Sequence, residues 1–231
     1  MGMESVWLKE LSYALRPYYH NASDCEKIII EHACIAGAGA LIPFPIASVV
    51  VIVGSTYSML VRIFKKLGIT LKKNIGRTIV SYMTTCLIGN LGASFLAFLV
   101  PIASDLLKWI PGIGTFLAFV IGPVGNAVVV YVYGCIFLNA LSLLCKTGKD
   151  VSEENLKESI SATAKNSADN IHNTVKEARE FFKKTNFKDY KSQAQDIYNE
   201  NKNRCVNCGT DIDENPSVCP SCHKNPRRIE E

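Results

Sequence analysis

Three stretches of the 231-residue chain contain no charged side chain: residues 33 to 61, 78 to 104 and 109 to 145. Each exceeds the roughly 18–20 apolar residues that a bilayer-crossing helix needs, so the pattern predicts a hydrophobic helical membrane domain over residues 1–150. After Cys145 the chain turns polar as far as Arg204, and one thin apolar stripe runs through the change. Leu156, Ile160, Ala164, Ala168, Ile171, Val175, Ala178 and Phe182 recur three or four residues apart, which puts them on one face of a long helix. Such a face suits weak packing on neighbours, a self-associating coiled coil or a partner helix. Beyond Phe187 the regularity fades, and residues 151–203 read as a polar helical stalk ending in a spacer.

Breaks subdivide the hydrophobic part. Residues 4 to 16 have helical spacing and end at Pro17, with Trp7, Leu8, Leu11 and Leu15 free to lie on a membrane surface or on the next helix. Ser23 followed by Glu26 has the spacing of a capping box, which predicts a helix from about Asp24 to Ile42. "PFP" at 43 to 45 removes two amide donors and splits the first apolar run into two helices, the second ended by Gly68. "GNLG" at 89 to 92, Pro101, "PGIG" at 111 to 114 and "GPVGN" at 122 to 126 interrupt the later runs. Short hairpins that dip into the bilayer or bury one another fit these breaks better than three straight crossings, because backbone freed at a break needs partners within the protein. The first 30 residues lack the apolar core and cleavage site of a secretory signal.

Charge sharpens the topology. The net charge is +4, and residues 1 to 150 hold 12 Lys and Arg against 7 Asp and Glu. Half of those cations, Arg62, Lys65, Lys66, Lys72, Lys73 and Arg77, lie between the first two apolar runs with no acid among them. The positive-inside rule places that loop in the cytosol, where it faces anionic headgroups. The last 27 residues hold only Lys224, Arg227 and Arg228 against five acids, so nucleic acid is not the expected partner.

The candidate chemistry lies at the C-terminus. Cys205, Cys208, Cys219 and Cys222 form two C-x2-C turns ten residues apart. Zinc takes four soft ligands at tetrahedral corners, and each turn delivers two thiolates to one ion. The pattern predicts one structural Zn2+ in a four-cysteine module over residues 204–226, whose folding energy comes from the metal because so short a segment has little core. A pair of disulfides is the alternative, disfavoured in a reducing compartment. The module resembles the short zinc ribbons at the ends of many prokaryotic chains, with one departure. His223 stands where the second knuckle of those modules usually has Gly, and it can adopt the left-handed conformation only at some cost. His223 as a fifth candidate ligand is superfluous to a complete four-sulfur set. Cys25, Cys34, Cys86, Cys135 and Cys145 lack ligand spacing and read as small buried hydrophobes, although Cys145 beside Lys146 also has the setting of an acylation site.

No catalytic constellation emerges. "GAGA" at 37 to 40 is not followed by the rest of a dinucleotide fingerprint and suits close helix packing. Glu31 and His32 sit side by side at the entrance to the first apolar run, either as an interfacial helix end or as a proton-responsive pair. His20 and His172 have no acidic or cysteine partner at a catalytic spacing. Asn90, Asn126 and Asn139, set among apolar residues, suit hydrogen bonds between helices. The expectation is a protein without enzymatic activity.

"IAGAGALIPFPIA", "SMLVRIFKKLGI" and "LLKWIPGIGTFLAFVIGPVGNAVVVYVYGCIFLNAL" together resemble the YcjF-like, GTPase-associated helical domain, with Ala38 to Ala47, Met59 to Ile69 and Ile110 to Thr115 carrying the likeness. The resemblance implies an all-α, membrane-associated module over residues about 24–145 and makes a separate GTPase one candidate partner; it supplies no catalytic residues. The combined expectation is an all-α protein at the cytoplasmic membrane that tethers a protein partner through a cytosolic zinc ribbon and has scope to self-associate. A pore-forming or membrane-remodelling protein regulated by its ribbon, and a soluble helical-bundle adaptor, are the alternatives.

Overall fold

The computed structural model describes residues 6–44, 47–70, 75–76, 78–83, 122–205, 210–212, 218–223 and 226. Among these the named helices are α1 (Val6–Leu15), α2 (Asp24–Gly39), α3 (Ala47–Lys66), α4 (Pro123–Thr147), α5 (Glu153–Asn166), α6 (Ala168–Phe182) and α7 (Lys191–Asn201), with a 3-10 turn at Phe187–Tyr190 before α7. Residues 75–76 and 78–83 are also helical. No strand occurs among the described residues beyond an isolated bridge between Arg204 and Asp211.

Helix α4 is the axis of the fold. It is apolar on almost every face, and α1, α2, α3, α5 and α6 all pack against it. Its start and end follow local chemistry: Pro123 occupies the first turn, where a missing amide costs nothing, and Gly148 closes the last turn with φ 67°. The amides of Gly148 and Lys149 return to Cys145 O and Leu144 O, the paired bonds of a Schellman stop. Helix α3 ends the same way at Gly68, φ 70°, with Ile69 N bonded to Phe64 O at 2.9 Å. The expected terminator at Gly68 is therefore present.

The "PFP" break is also present. Helix α2 stops at Gly39, and α3 begins at Ala47, whose amide bonds to Phe44 O at 3.0 Å. The two helices form an antiparallel hairpin. Small residues on α2 make the close approaches expected of "GAGA": a Cβ on Gly39 would stand 2.7 Å from Val51 Cβ, and one on Gly37 would collide with the Phe187 ring.

The capping box at Ser23 does not form. Ser23 already has helical angles, φ −62° and ψ −24°, and its side chain makes no capping bond. The preceding turn does the work instead, since Asp24 N and Cys25 N bond to Asn21 O and Ala22 O, both at 3.1 Å. Helix α1 resolves a choice left open by the sequence, because Leu8, Leu11 and Leu15 are buried in the common core, with α4 and α2 as neighbours.

The polar segment is built into the same body. Its stripe residues Leu156, Ile160, Ala164, Ile171, Val175, Ala178 and Phe182 are all within 2 % of full burial and belong to the core that contains α4. The long helix expected there is broken at Ser167, where φ −116° and ψ 23° leave the helical range. Asn139 Nδ2 on α4 donates to Ser167 Oγ at 3.2 Å, tying the break to the central helix. Asn126 Nδ2 likewise donates to Ala36 O at 3.3 Å. Both asparagines thus bond between helices, as their apolar setting suggested; Asn90 lies outside the described residues.

Two described helices are long and apolar enough to cross a membrane, Ala47–Lys66 and Pro123–Thr147. Their most apolar windows are 67% and 83% buried within the protein. The breaks at 89 to 92, Pro101 and 111 to 114 lie outside the described residues.

Candidate metal centre and a buried histidine

The C-terminal module grows directly from α7. The amide of Lys202 bonds to Tyr198 O at 2.7 Å and that of Arg204 to Asn201 O at 2.9 Å, continuing the helical turn. The chain then doubles back, with Cys205 N bonded to Thr210 O at 2.9 Å and Ile212 N to Asn203 O at 2.8 Å. The Arg204–Asp211 ion pair, 3.1 Å, fastens the outside of this turn. On the other side of the module His223 N bonds to Cys219 O at 2.9 Å, with His223 at φ 56°. The second knuckle therefore makes the left-handed turn that Gly makes without strain, and makes it with an imidazole-bearing residue.

These two turns bring Cys205, Cys219 and Cys222 together, their Sγ atoms all within 4.8 Å of one another. Cys205 and Cys222 are 3.8 Å apart. A Zn–S bond of about 2.3 Å in a tetrahedron gives a sulfur–sulfur edge of about 3.8 Å, whereas a disulfide would hold the sulfurs at about 2.0 Å. Cys205 and Cys219 are buried, and Ile212 is the one described aliphatic residue packed with them. The donor set suits a thiophilic ion, and among the described residues its cage has little apolar core of its own. Cys208, the fourth expected ligand, lies outside the described residues.

The remaining described cysteines are scattered through the helical body. Cys25, Cys34 and Cys135 are buried and Cys145 is half-buried; Cys86 lies outside the described residues. Burial pushes the Cys25 thiol up to about 12, far from a reactive thiolate. Cys145 Sγ lies 3.8 Å from the Tyr19 hydroxyl, and Tyr19 is pushed up to about 12 by burial and by that neighbour.

Glu31 and His32 separate in role. His32 is 2 % exposed, and its two ring nitrogens meet α3. Arg62 Nη1 lies 3.1 Å from His32 Nε2. Since a guanidinium only donates, Nε2 must carry the lone pair. Ser55 Oγ donates to His32 O at 2.8 Å, which leaves the Ser55 hydroxyl oxygen to accept from His32 Nδ1 at 3.3 Å. The partners therefore dictate a neutral imidazole with its proton on Nδ1. Burial, reinforced by the Arg62 charge and opposed by Glu31, pushes His32 down to about 4. The hydroxyl proton of Ser55 points to a carbonyl, opposite to the arrangement that activates a nucleophile. Glu31 itself pairs with Arg62 at 3.0 Å. His20 and His172 are on the surface.

The basic cluster is partly neutralised. Besides Arg62 with Glu31, Lys66 pairs with Asp24 at 2.8 Å and holds that carboxyl below its usual range. Lys65 is exposed; Lys72, Lys73 and Arg77 lie outside the described residues. The sequence shows the cations of α3 but not these partners, which are more than thirty residues away along the chain.

Fold and site together define an all-helical body with two membrane-length apolar helices and a cysteine cluster near its C-terminus. No protein-family model matches the chain, and no curated protein or solved structure is found to be similar to it.

Proposed function

We propose that the protein is a non-enzymatic, membrane-associated adaptor whose cysteine module binds one structural zinc ion and presents a cytosolic surface to a protein partner. The observation that carries this reading is the convergence of Cys205, Cys219 and Cys222 within 4.8 Å, with Ile212 as their one aliphatic neighbour among the described residues; the C-x2-C spacing makes Cys208 the expected fourth ligand. Bound zinc supplies folding energy and holds no open position for substrate. The two membrane-length helices and the uncharged runs support membrane association, and the YcjF-like resemblance points the same way, with a separate GTPase as one candidate partner.

Alkaline carbonate washing of membranes, together with zinc content of the purified full chain, tests both halves of the proposal. Retention in the washed pellet with one zinc per chain is expected. Release of the protein would remove the membrane half, and absence of zinc from protein purified without chelators would remove the other.

A soluble helical-bundle adaptor is the second reading. It is favoured by the burial of most of α3 and α4 inside the protein. Recovery in the soluble fraction without detergent would select it.

A further inference from the structure

Helix α7 is polar and weakly held by its own side chains: of its eleven residues only Ala194 is buried. It nevertheless lies against both α2 and α3. Its last turn makes the closest approach, because a Cβ on Gly54 of α3 would stand 2.7 Å from Ile197 Cγ2 and 3.0 Å from Asn201 Nδ2. One face is closed by the Tyr198 ring stacked on Phe44, with centroids 5.7 Å apart and planes 8° from parallel. Beyond Asn201 there is no slack linker. Lys202 and Arg204 are bonded back to the helix, Asn203 and Cys205 forward to the module, and a shallow groove beside Gly54 is lined by Asn201, Arg204 and Cys205 together with Val50 and Tyr57 of α3.

We propose that metal binding at the cysteine cluster latches α7 onto the α2–α3 hairpin, so that loss of the metal releases α7 and uncovers the face of α3 around Val50, Gly54 and Tyr57. This rests on the zinc reading given above. The physical argument is one of transmission. The module folds only as its thiolates gather on an ion, and the turn that carries Cys205 is hydrogen-bonded without interruption to the last turn of α7. Ordering the module therefore orders that turn, which is the part of α7 seated on Gly54. Without the ion, the last turn of this polar helix keeps Ile197, Tyr198 and Asn201 against the hairpin but loses the ordered module beyond it, and short isolated helices are marginal in water. The helices α5 and α6 pack on α4 through their own buried stripes and do not share this dependence.

Hydrogen exchange of the full chain, zinc-loaded and then stripped with a chelator, tests the latch, with bound zinc counted by native mass spectrometry. One zinc per chain, at least tenfold faster exchange over residues 191–201 after stripping, and unchanged exchange over 153–166 are expected. If zinc binds but stripping leaves 191–201 as protected as before, the latch is wrong while the metal reading stands. If the whole chain loses protection, the metal is a general stabiliser and the latch is equally wrong. A chain that takes up no zinc refutes the metal reading and the latch with it. Gly54→Leu fills the contact without touching a ligand, so it is expected to bind zinc while 191–201 exchanges fast whether or not the chelator is present. Tyr198→Ala provides the same readout if Gly54→Leu does not fold, and chelator-sensitive protection of 191–201 in both variants would overturn the proposed seat.

Discussion

Acidification probes how His32 is held. Its folded value near 4 lies below the ordinary imidazole value of about 6.5, so between the two the unfolded chain binds a proton that the folded chain refuses. Stability is therefore full above about pH 6.5 and falls as pH drops toward 4. The gap, at about 1.4 kcal/mol per pH unit, comes to about 3 kcal/mol. The facing groups set the sign: Arg62 opposes protonation, Glu31 favours it less strongly, and burial opposes it most. Urea denaturation in mild detergent at pH 7, 5.5 and 4.5, for the native chain and for His32→Gln, isolates this group. Carboxylates and metal thiolates titrate in both proteins and cancel in the difference. The expected result is a stability gap between the two chains that narrows by about 2 kcal/mol from pH 7 to pH 4.5, the remainder being lost only below pH 4. Imidazole nitrogen shifts read the tautomer directly, and a proton on Nε2 or a titration of His32 near 6.5 would refute the hydrogen-bond assignment.

His223→Gly removes a left-handed side-chain residue at a cost of about 1–2 kcal/mol, so the variant should hold zinc roughly tenfold more tightly in a chelator competition. Cys219→Ser takes away a fully buried candidate ligand and, on the proposed zinc reading, should abolish stoichiometric zinc binding, read by metal analysis. Gly134→Ala puts a Cβ 2.6 Å from Ile29 Cγ1; overpacking of about 1–3 kcal/mol outweighs the helix-propensity gain of about 1 kcal/mol. Combining it with Ile29→Ala should recover more than 1 kcal/mol relative to additivity in a double-mutant cycle.

The parts of the fold that could be read from sequence are those whose cause is local. Gly68 and "PFP" end helices through their own backbone chemistry, and the stripe from Leu156 to Phe182 is visible because burial repeats every three or four residues. The break at Ser167 leaves that spacing undisturbed, and its partner is Asn139 on another helix, so nothing nearby marks it. Ser23 and Glu26 have the spacing of a cap, but the carbonyls of Asn21 and Ala22 take the amides of Asp24 and Cys25 instead. At the candidate metal centre the C-x2-C spacing singles out the cysteines, three of which the fold brings together, whereas the seat of Asn201 on Gly54 depends on two helices meeting. His32 is conspicuous as an ionisable residue beside an apolar run. Its neutral state is decided first by burial and then by the Arg62 charge, and its tautomer by Ser55 and Arg62, none of which the local sequence shows.

The α2–α3 hairpin is joined along its whole length: Gly39 touches Val51 near the bend, the His32 ring meets Ser55 midway, Glu31 meets Arg62, and Asp24 reaches Lys66 at the open end. These contacts follow a single antiparallel register. Sliding one helix along the other by a turn, about 5.4 Å, would part all of them together. The pair therefore behaves as a strut whose contacts stand or fall together, and displacing one helix costs the apolar, hydrogen-bonded and ionic contacts in a single step.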